Sequence, residues 1–402
     1  MTRNWAAVFV LFLSYPGDAL GQDDALEQLR TTLNSVKSRS KDAVATQGAT
    51  PELTKAKHQL RDWVESYVAG LPGGGESALE LSLNGKLATA GMTAPAAGAG
   101  SAADTVGETL AGFLGEVKIR HRNSLLAVTT GVGIVCGYDE SIYVYRRANG
   151  KWKRIFDYEQ TDYREGLYRP QQVIDILASP SDKGQPDLVL ALGYTPWCTS
   201  NWRADYLRIW SIDAAAKRQT LVETNPGGFS PWFYLKGSID RDQALVEAMT
   251  SSLDAAQLTR TVLHHYDFDD GKALRIDPVA LRPADFADEW LGMVWEEAQR
   301  WSDPANPETL RTWHTKLRKE RFSGEFIRPS KHCEGKPGLW AVGVDSDDGV
   351  ANSKKTYFLV QWRPPFRFRM VQVSEQPPSG CTEPDPEGDQ SVESLFQSWP
   401  GQ

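Results

Sequence analysis

The sequence predicts a mostly β protein: a four-unit β-propeller-like domain with an N-terminal helical segment and a helical insertion. Between residues 115 and 373, the same succession of short apolar runs and turns occurs four times. Each unit contains four runs, the number of antiparallel strands in a propeller blade. Self-similarity at a period of tens of residues indicates one repeated supersecondary unit. An open β array or a β-sandwich is the alternative arrangement of these strands.

The first 21 residues have the features of a secretory signal peptide. Arg3 precedes an apolar stretch of nine residues, from Trp5 to Leu13, and small residues lead to an expected cleavage point after Gly21. A membrane-spanning helix needs about 20 apolar residues, so this stretch is too short to cross a bilayer. We therefore predict an exported protein, periplasmic or extracellular, with no transmembrane segment.

Charge and composition limit the partners of the protein. Its 402 residues carry a formal net charge of −8, whereas binding to a nucleic acid backbone needs a basic surface. We therefore expect no nucleic acid partner. Fourteen tryptophans against six histidines favour packing and stacking over metal chemistry, and we expect no cofactor and no metal.

Four cysteines in an exported protein predict two disulfide bonds, and four cysteines allow three pairings. Cys136 and Cys198 occupy equivalent loops of the first two units, which neighbouring blades bring close together. We therefore predict one bond between Cys136 and Cys198. The second bond then joins Cys333 to Cys381 and ties the tail to the last unit.

Residues 22–87 form the N-terminal helical segment, because their apolar residues recur at helical spacing. Two helices are predicted, and a third is weakened by Gly85. An Ala/Gly-rich linker over 88–112 leads to the β-propeller-like domain at 113–381, and 382–402 form a tail. The apolar helix positions are Leu26, Leu29, Leu33 and Val36, then Leu53, Leu60, Val64 and Val68, then Leu79, Leu83 and Leu87.

The four units align on their second and third strands. The aromatic tips of the third strands follow matched second-strand positions by 19, 21, 21 and 22 residues, from Leu126 to Tyr145, Val189 to Trp210, Leu245 to Tyr266 and Trp340 to Trp362. The second strands are predicted at Leu125–Thr129, Leu188–Leu192, Ala244–Ala248 and Leu339–Val342. The third strands are predicted at Ile142–Tyr145, Tyr206–Trp210, Val262–Tyr266 and Tyr357–Trp362.

One short motif resembles a known propeller repeat. The segment from Gly184 to Val189, GQPDLV, resembles the end of the FG-GAP/VCBS repeat of integrin-type propellers, and Gly335 to Leu339 is similar in the fourth unit. The resemblance implies that both segments lie between the first and second strands of their units. In that family, acidic residues just upstream hold calcium, whereas this protein has Ser179, Ser181 and Asp182 there.

The segment between the third and fourth units, residues 283–320, is predicted to be helical. Trp290, Val294, Ala298 and Trp301 form one apolar stripe over residues 285–301. A second helix is predicted from Pro307 to Lys319. We interpret the insertion as covering a propeller edge or filling the place of a blade, because tryptophans at this spacing are typical of core packing.

Aromatic and arginine side chains gather in loops that the fold brings together. Because antiparallel strands alternate in direction, the loop between strands two and three and the link to the next unit emerge at the same end. Tryptophan, tyrosine and arginine dominate binding hot spots. We predict a non-catalytic binding or scaffold protein for a protein or glycan ligand; mutual packing of these side chains is the alternative. The candidate binding residues are Tyr163, Tyr168, Trp197, Trp202, Arg203 and Trp232.

A secreted hydrolase resembling glycoside hydrolases is the alternative function. Glycoside hydrolysis needs two carboxyl groups several ångströms apart, and carboxylates are expected at the aromatic end. A solvated acidic surface would explain the same residues. The candidate catalytic residues under this hypothesis are Asp139, Glu140, Asp162 and Glu165.

Overall fold

The computed structural model describes thirteen stretches and one isolated pair of the 402 residues. They are residues 19–40, 51–71, 75–94, 110–134, 137–160, 172–180, 185–195, 203–227, 229–230, 234–254, 258–320, 325–327, 330–346 and 354–384. Within them the protein is mostly β, with four antiparallel sheets whose main strands follow the order of the sequence, except that in the fourth sheet the strand Cys381–Pro384 lies beside the strand Lys331–Cys333. The predicted fold class is confirmed.

Three N-terminal helices form one layer against the first sheet. Their predicted apolar positions are buried in one core together with residues of that sheet. The third helix forms despite Gly85 because Leu79, Leu83 and Leu87 gain more from burial than the glycine costs. Among the helices that the structure describes, none has the length and apolar character that a membrane crossing requires. The helices are α1 (Ala19–Ser40), α2 (Pro51–Val68) and α3 (Glu76–Thr89).

The first sheet is covered on both faces. Alternate residues of its second strand point to opposite faces: Leu126 and Val128 join the helical core, whereas Leu125 and Ala127 join the core shared with the second sheet. Every residue of this strand is therefore buried. The strands are β1 (Lys118–Arg122), β2 (Leu125–Ile134), β3 (Gly137–Ala148) and β4 (Lys151–Tyr158).

The second sheet lies between the first and the third. Val189 and Ala191 pack toward the first sheet, and Leu188, Leu190 and Leu192 pack toward the third. Two-sided burial explains why this strand is an unbroken apolar run. The strands of the second sheet are β5 (Gln172–Ser179), β6 (Asp187–Thr195), β7 (Arg203–Ile212), β8 (Arg218–Thr224) and β9 (Phe229–Ser230). Those of the third are β10 (Leu235–Asp240), β11 (Gln243–Ser251), β12 (Thr259–Asp269) and β13 (Lys272–Arg275).

The first strands of these three sheets lie close together. Arg122 of β1 donates one hydrogen bond to the Ile239 carbonyl and another, of 2.9 Å, to Asp240 at the end of β10. Arg120 lies 3.8 Å from Asp175 of β5. The innermost strands thus converge as the first strands of propeller blades do.

The helical insertion forms within its predicted bounds but contains a break. The helix predicted over residues 285–301 is interrupted at Met293 and Val294, which have extended backbone angles. Val294 is consequently 53% exposed and does not join the apolar stripe. The helices are α4 (Pro283–Gly292), α5 (Trp295–Ala298), which continues into a 3₁₀ turn over Gln299–Trp301, and α6 (Pro307–Glu320).

The fourth sheet packs one face on the insertion, with Phe286 stacked on Phe368 and Trp290 fully buried. The predicted bond between Cys333 and Cys381 is present and joins two neighbouring strands. Such bonds are typical of oxidising compartments. The strands are β14 (Glu325–Ile327), β15 (Lys331–Cys333), β16 (Leu339–Ser346), β17 (Lys354–Arg363), β18 (Arg367–Ser374) and β19 (Cys381–Pro384).

The four sheets form a propeller-like array in which the insertion separates the last two units. α4 contacts β12 of the third sheet and β16, β17 and β18 of the fourth. None of the apolar clusters formed by the described residues joins the fourth sheet to the first. Among the described residues, apolar packing therefore does not close the array between the fourth sheet and the first.

The two segments that resemble the FG-GAP/VCBS repeat lie where expected. Gln185 and Pro186 directly precede β6, and the turn from Gly335 to Gly338 directly precedes β16. Asp187 is buried and accepts hydrogen bonds from Arg146 of the first sheet, the shorter of them 2.6 Å. The aspartate of the first segment thus joins two sheets.

A buried ionic network joins the third sheet to the insertion. Arg260 lies 2.7 Å from Glu289 and 3.1 Å from Asp288. Arg275 donates hydrogen bonds of 2.7 Å to Glu289 and 2.9 Å to Glu297. Burial by itself would raise the pKa of Glu289, but the two guanidinium groups lower it to about 2. This junction is held by buried charges, whereas the junctions among the first three sheets have apolar cores with partly exposed ion pairs such as Arg146–Asp187 beside them.

Loss of the Glu289 charge is expected to weaken this junction. Glu289→Gln leaves two buried guanidinium groups with too little negative charge and should lower the free energy of unfolding at pH 7 by about 3–5 kcal/mol, measured by urea unfolding. Because the pKa of Glu289 is lower in the folded state, its contribution to the free energy of unfolding is present above pH 4.5. This contribution is lost as the pH falls toward about 2. The control Glu308→Gln changes an exposed residue of α6. Equal effects of both variants would contradict the role of the network.

Candidate functional site

The strand registers define one common end of the first three sheets, which we call the loop end. β2 and β3 turn between Ile134 and Gly137, and β4 ends beside β3 at this same end. In the second sheet, the loop between β6 and β7 opens beyond the pair Thr195 and Ala204. The β11–β12 loop emerges at the matching end of the third sheet.

Most predicted site residues lie in segments beyond the described residues. Arg203 is the first residue of β7, and its backbone pairs with Ser230 of β9. The described residues reach Gln160 before the first link and resume at Gln172, and they reach Thr195 before the β6–β7 loop. The predicted residues outside the described part are Tyr163, Tyr168, Trp197, Trp202, Trp232, Asp162, Glu165, Cys136 and Cys198.

Asp139 lies at the loop end but is fully buried. Its carboxylate accepts a hydrogen bond of 3.0 Å from the Lys57 ammonium, which α2 inserts against the first sheet. Lys57 also donates 2.8 Å to the Gln160 carbonyl, directly before the first link between sheets. A buried charge needs a close partner of opposite sign. Asp139 therefore holds the N-terminal helices on the sheet.

Helix α2 covers part of the loop end through a second set of contacts. His58 lies 3.0 Å and Arg61 3.4 Å from the Glu159 carboxylate. Tyr143 donates a 2.8 Å hydrogen bond to Glu159 from the sheet side. Sequence reasoning missed this contribution. Lys57 could have indicated it, because a lysine on the apolar face of α2, between Leu53 and Leu60, needs a buried acidic partner.

Glu140 occupies the opposite face of the same strand. It is 6% exposed, and its carboxylate accepts a 2.5 Å hydrogen bond from the backbone amide of Val173 at the start of β5. Burial raises the pKa of Glu140 to about 7, although Lys118 and the Val173 amide act in the opposite direction. Glu140 thus links the first sheet to the second at the loop end.

Tyr206 packs beside Glu140 in the second sheet. Its hydroxyl is buried and has no hydrogen-bond partner among the described residues. Burial and the nearby Glu140 charge raise its pKa well above the ordinary value. Only glycine fits at position 193, because a Cβ there would overlap the Tyr206 hydroxyl oxygen.

The positions of Asp139 and Glu140 restrict what these carboxylates can do together. Adjacent strand residues point to opposite faces: Asp139 meets α2, and Glu140 meets β5. A sheet lies between them, so they cannot flank one scissile bond as a glycosidase pair does. Both are also removed from solvent.

Some aromatic residues below the loop end pack on one another. Tyr158 at the end of β4 contacts Trp210 of the second sheet, with ring centroids 5.3 Å apart. The Arg208 guanidinium lies 5.0 Å from the ring centres of both Tyr158 and Tyr206. These side chains fill the junction of the first two sheets. No group of three or more potential metal ligands meets within the described residues.

Comparison with known proteins yields no family assignment. No family model and no curated protein matches the sequence. Solved structures match at low similarity: a protein in an RGII complex is 9% identical, with 68% of this protein and 91% of that one covered and a TM-score of 0.25.

Two arabinanase structures give similar values. A Cellvibrio cellulosa alpha-L-arabinanase is 9% identical over 69% of this protein and 81% of its own length, with a TM-score of 0.23. An exo-1,5-alpha-L-arabinanase from a bovine ruminal metagenomic library is 9% identical, with 64% of this protein and 78% of that one covered and a TM-score of 0.22. TM-scores this low carry no argument about fold or function, so the fold described above stands on the sheets of this protein.

The Lys57–Asp139 pair is expected to be essential for docking of the N-terminal helices. Lys57→Met keeps a side chain of similar length but leaves the Asp139 carboxylate buried without its ammonium, and should cost about 3–5 kcal/mol in urea unfolding. The exposed neighbour in Lys55→Met is the matched control. In a double-mutant cycle with Asp139→Asn, the combined cost should fall below the sum of the single costs. Strict additivity would show that the pair is not coupled.

Glu140 is expected to make stability depend on pH near neutrality. Its folded pKa of about 7 exceeds the ordinary 4.5, so its contribution is present below pH 4.5 and is lost as the pH rises through 7. In the wild type the free energy of unfolding should fall by about 3 kcal/mol between pH 4.5 and 8, and Glu140→Gln should abolish this fall. Urea unfolding at both pH values measures this, with exposed Glu334→Gln as control. An unchanged pH profile in Glu140→Gln would refute the assignment.

Proposed function

We propose that this protein is an exported, non-catalytic binding or scaffold protein that holds a protein or glycan ligand at its loop end. The binding residues in this proposal are Tyr163, Tyr168, Trp197, Trp202, Arg203 and Trp232. The observation that supports it is the strand register, in which the strands flanking the relevant loops and links end on one common side of their sheets.

Hydrogen bonds within the described frame of the loop end support a binding role. The Glu140 carboxylate joins the first sheet to the second, and Asp205 accepts a 2.7 Å hydrogen bond from the Gly227 amide in the link toward the third sheet. Loops that bind ligands are commonly positioned by such a fixed scaffold. A preorganised frame also lowers the entropic cost of binding.

The placement of the two described carboxylates disfavours hydrolysis. Asp139 and Glu140 lie buried on opposite faces of one sheet. A hydrolase at the loop end would therefore rest on Asp162 and Glu165. The binding proposal requires no accessible pair of carboxylates.

The aromatic residues should be required for ligand retention. Mature protein is immobilised and exposed to the native envelope fraction, and the retained material is quantified. Trp197→Ala and Trp232→Ala should each reduce retention at least about tenfold, since loss of a buried aromatic anchor commonly costs about 2 kcal/mol or more. Leu274→Ala, an exposed apolar residue on β13, is the control and should retain as the wild type does.

The same experiment distinguishes binding from catalysis. Asp162→Asn and Glu165→Gln should leave the retained amount unchanged once folding has been verified by circular dichroism. Turnover of a retained glycan by the wild type, lost in Glu165→Gln, would establish the hydrolase instead.

A further inference from the structure

The β17–β18 hairpin has a charge opposite to that of the whole protein. Residues 354–374 contain five basic residues and no acidic residue, whereas the protein has a net charge of −8. Three of the five lie beside an acid: Lys354 is 3.5 Å from Glu375, Arg369 is 3.1 Å from Asp277, and Lys355 is opposite Asp345. The remaining two are at the turn.

Arg363 and Arg367 form the last cross-strand pair before the turn. Both side chains are exposed, and neither has an ion-pair or hydrogen-bond partner among the described residues. Like charges directly opposite each other destabilise a sheet. The sequence keeps this unfavourable pair, although the rest of the hairpin places its cations beside acids.

A third cation lies next to the pair. The Trp362 amide donates a 2.6 Å hydrogen bond to the Gly338 carbonyl, and Gln361 donates 3.1 Å to the Pro337 carbonyl. These bonds hold the turn over residues 334–338 beside the end of β17. Lys336 at the centre of that turn is also exposed.

The turn between the two arginines is apolar and strained. Pro364 and Pro365 are exposed, and Phe366 is half-buried. Phe366 has a φ of +128°, which residues with a side chain rarely adopt. Backbone strain of this kind clusters at functional positions. We call residues 363–367 the cationic tip.

We propose that the cationic tip docks this protein onto an anionic lipid surface. Small-molecule sites are concave, whereas a hairpin turn is convex and fits a planar surface. Each basic residue near an anionic membrane contributes about 1 kcal/mol, and Arg363, Arg367 and Lys336 are placed to contribute together. The two exposed prolines present apolar surface to the boundary between headgroups and acyl chains.

This inference is independent of the proposed function. Within the fourth sheet, the tip lies at the opposite end from the loop between β16 and β17. Ligand retention at the loop end and docking through the tip can therefore be lost separately. Variants of the tip should retain material from the envelope fraction after lipid has been removed.

Co-sedimentation with vesicles tests the proposal. The full mature protein should bind vesicles of phosphatidylcholine and phosphatidylglycerol in a two-to-one ratio, but not pure phosphatidylcholine. Binding should weaken as salt increases, because the attraction is screened. Arg363→Glu/Arg367→Glu should reduce binding at least about tenfold, since two cations contribute about 2 kcal/mol.

A matched control distinguishes binding through the cationic tip from a general effect of surface charge. Lys151→Glu/Lys272→Glu makes the same charge change at exposed hairpin ends of the first and third sheets and should bind as the wild type does. Surface changes of this kind leave stability within about 0.5 kcal/mol, which thermal unfolding verifies. Failure of the wild type to bind the mixed vesicles would overturn the proposal, and so would equal losses in both charge variants. Retention on immobilised polygalacturonate without vesicle binding would assign the tip to an acidic polysaccharide instead.

Discussion

Burial of both faces of each stacked sheet is the constraint on which this structure depends. Strands β2 and β6 are apolar on both faces, so each needs a covering layer on either side. The second sheet obtains these layers from its neighbours, whereas the first sheet lies at the edge of the stack. The N-terminal helices supply its second cover. They belong to the core of the β array for this reason.

Charge specifies how the helical layers attach to the sheets. The first layer is held by the buried Lys57–Asp139 pair, and the insertion is held by arginines of the third sheet around Glu289. Apolar contact alone allows sliding, whereas a buried ion pair with short hydrogen bonds has one satisfactory geometry. In this protein the Lys57–Asp139 and Arg260–Asp288 pairs between helix and sheet are buried. The Arg122–Asp240 pair between sheets is partly exposed.

The described part of the loop end is a frame held by hydrogen bonds. Glu140 and Asp205 each accept a hydrogen bond from a backbone amide beside a link between sheets. These bonds explain why the two carboxylates are buried there. A frame of this kind is suited to positioning the connecting segments beside it.

Local pattern by itself determined the strands, the helices and their order, because alternation and helical periodicity report which face of an element must be buried. Even Gly85 did not stop α3, since three leucines fixed its buried face. The apolar pattern over residues 285–301 did not predict the break at Met293 and Val294. Two extended residues leave the spacing of the apolar residues along the sequence almost unchanged. Only the tertiary structure decided that Asp139 and Glu140 are buried on opposite faces, with Lys57 as a partner 82 positions away. Burial and ion pairing depend on which elements meet in space, and sequence spacing carries no information about contacts between distant segments.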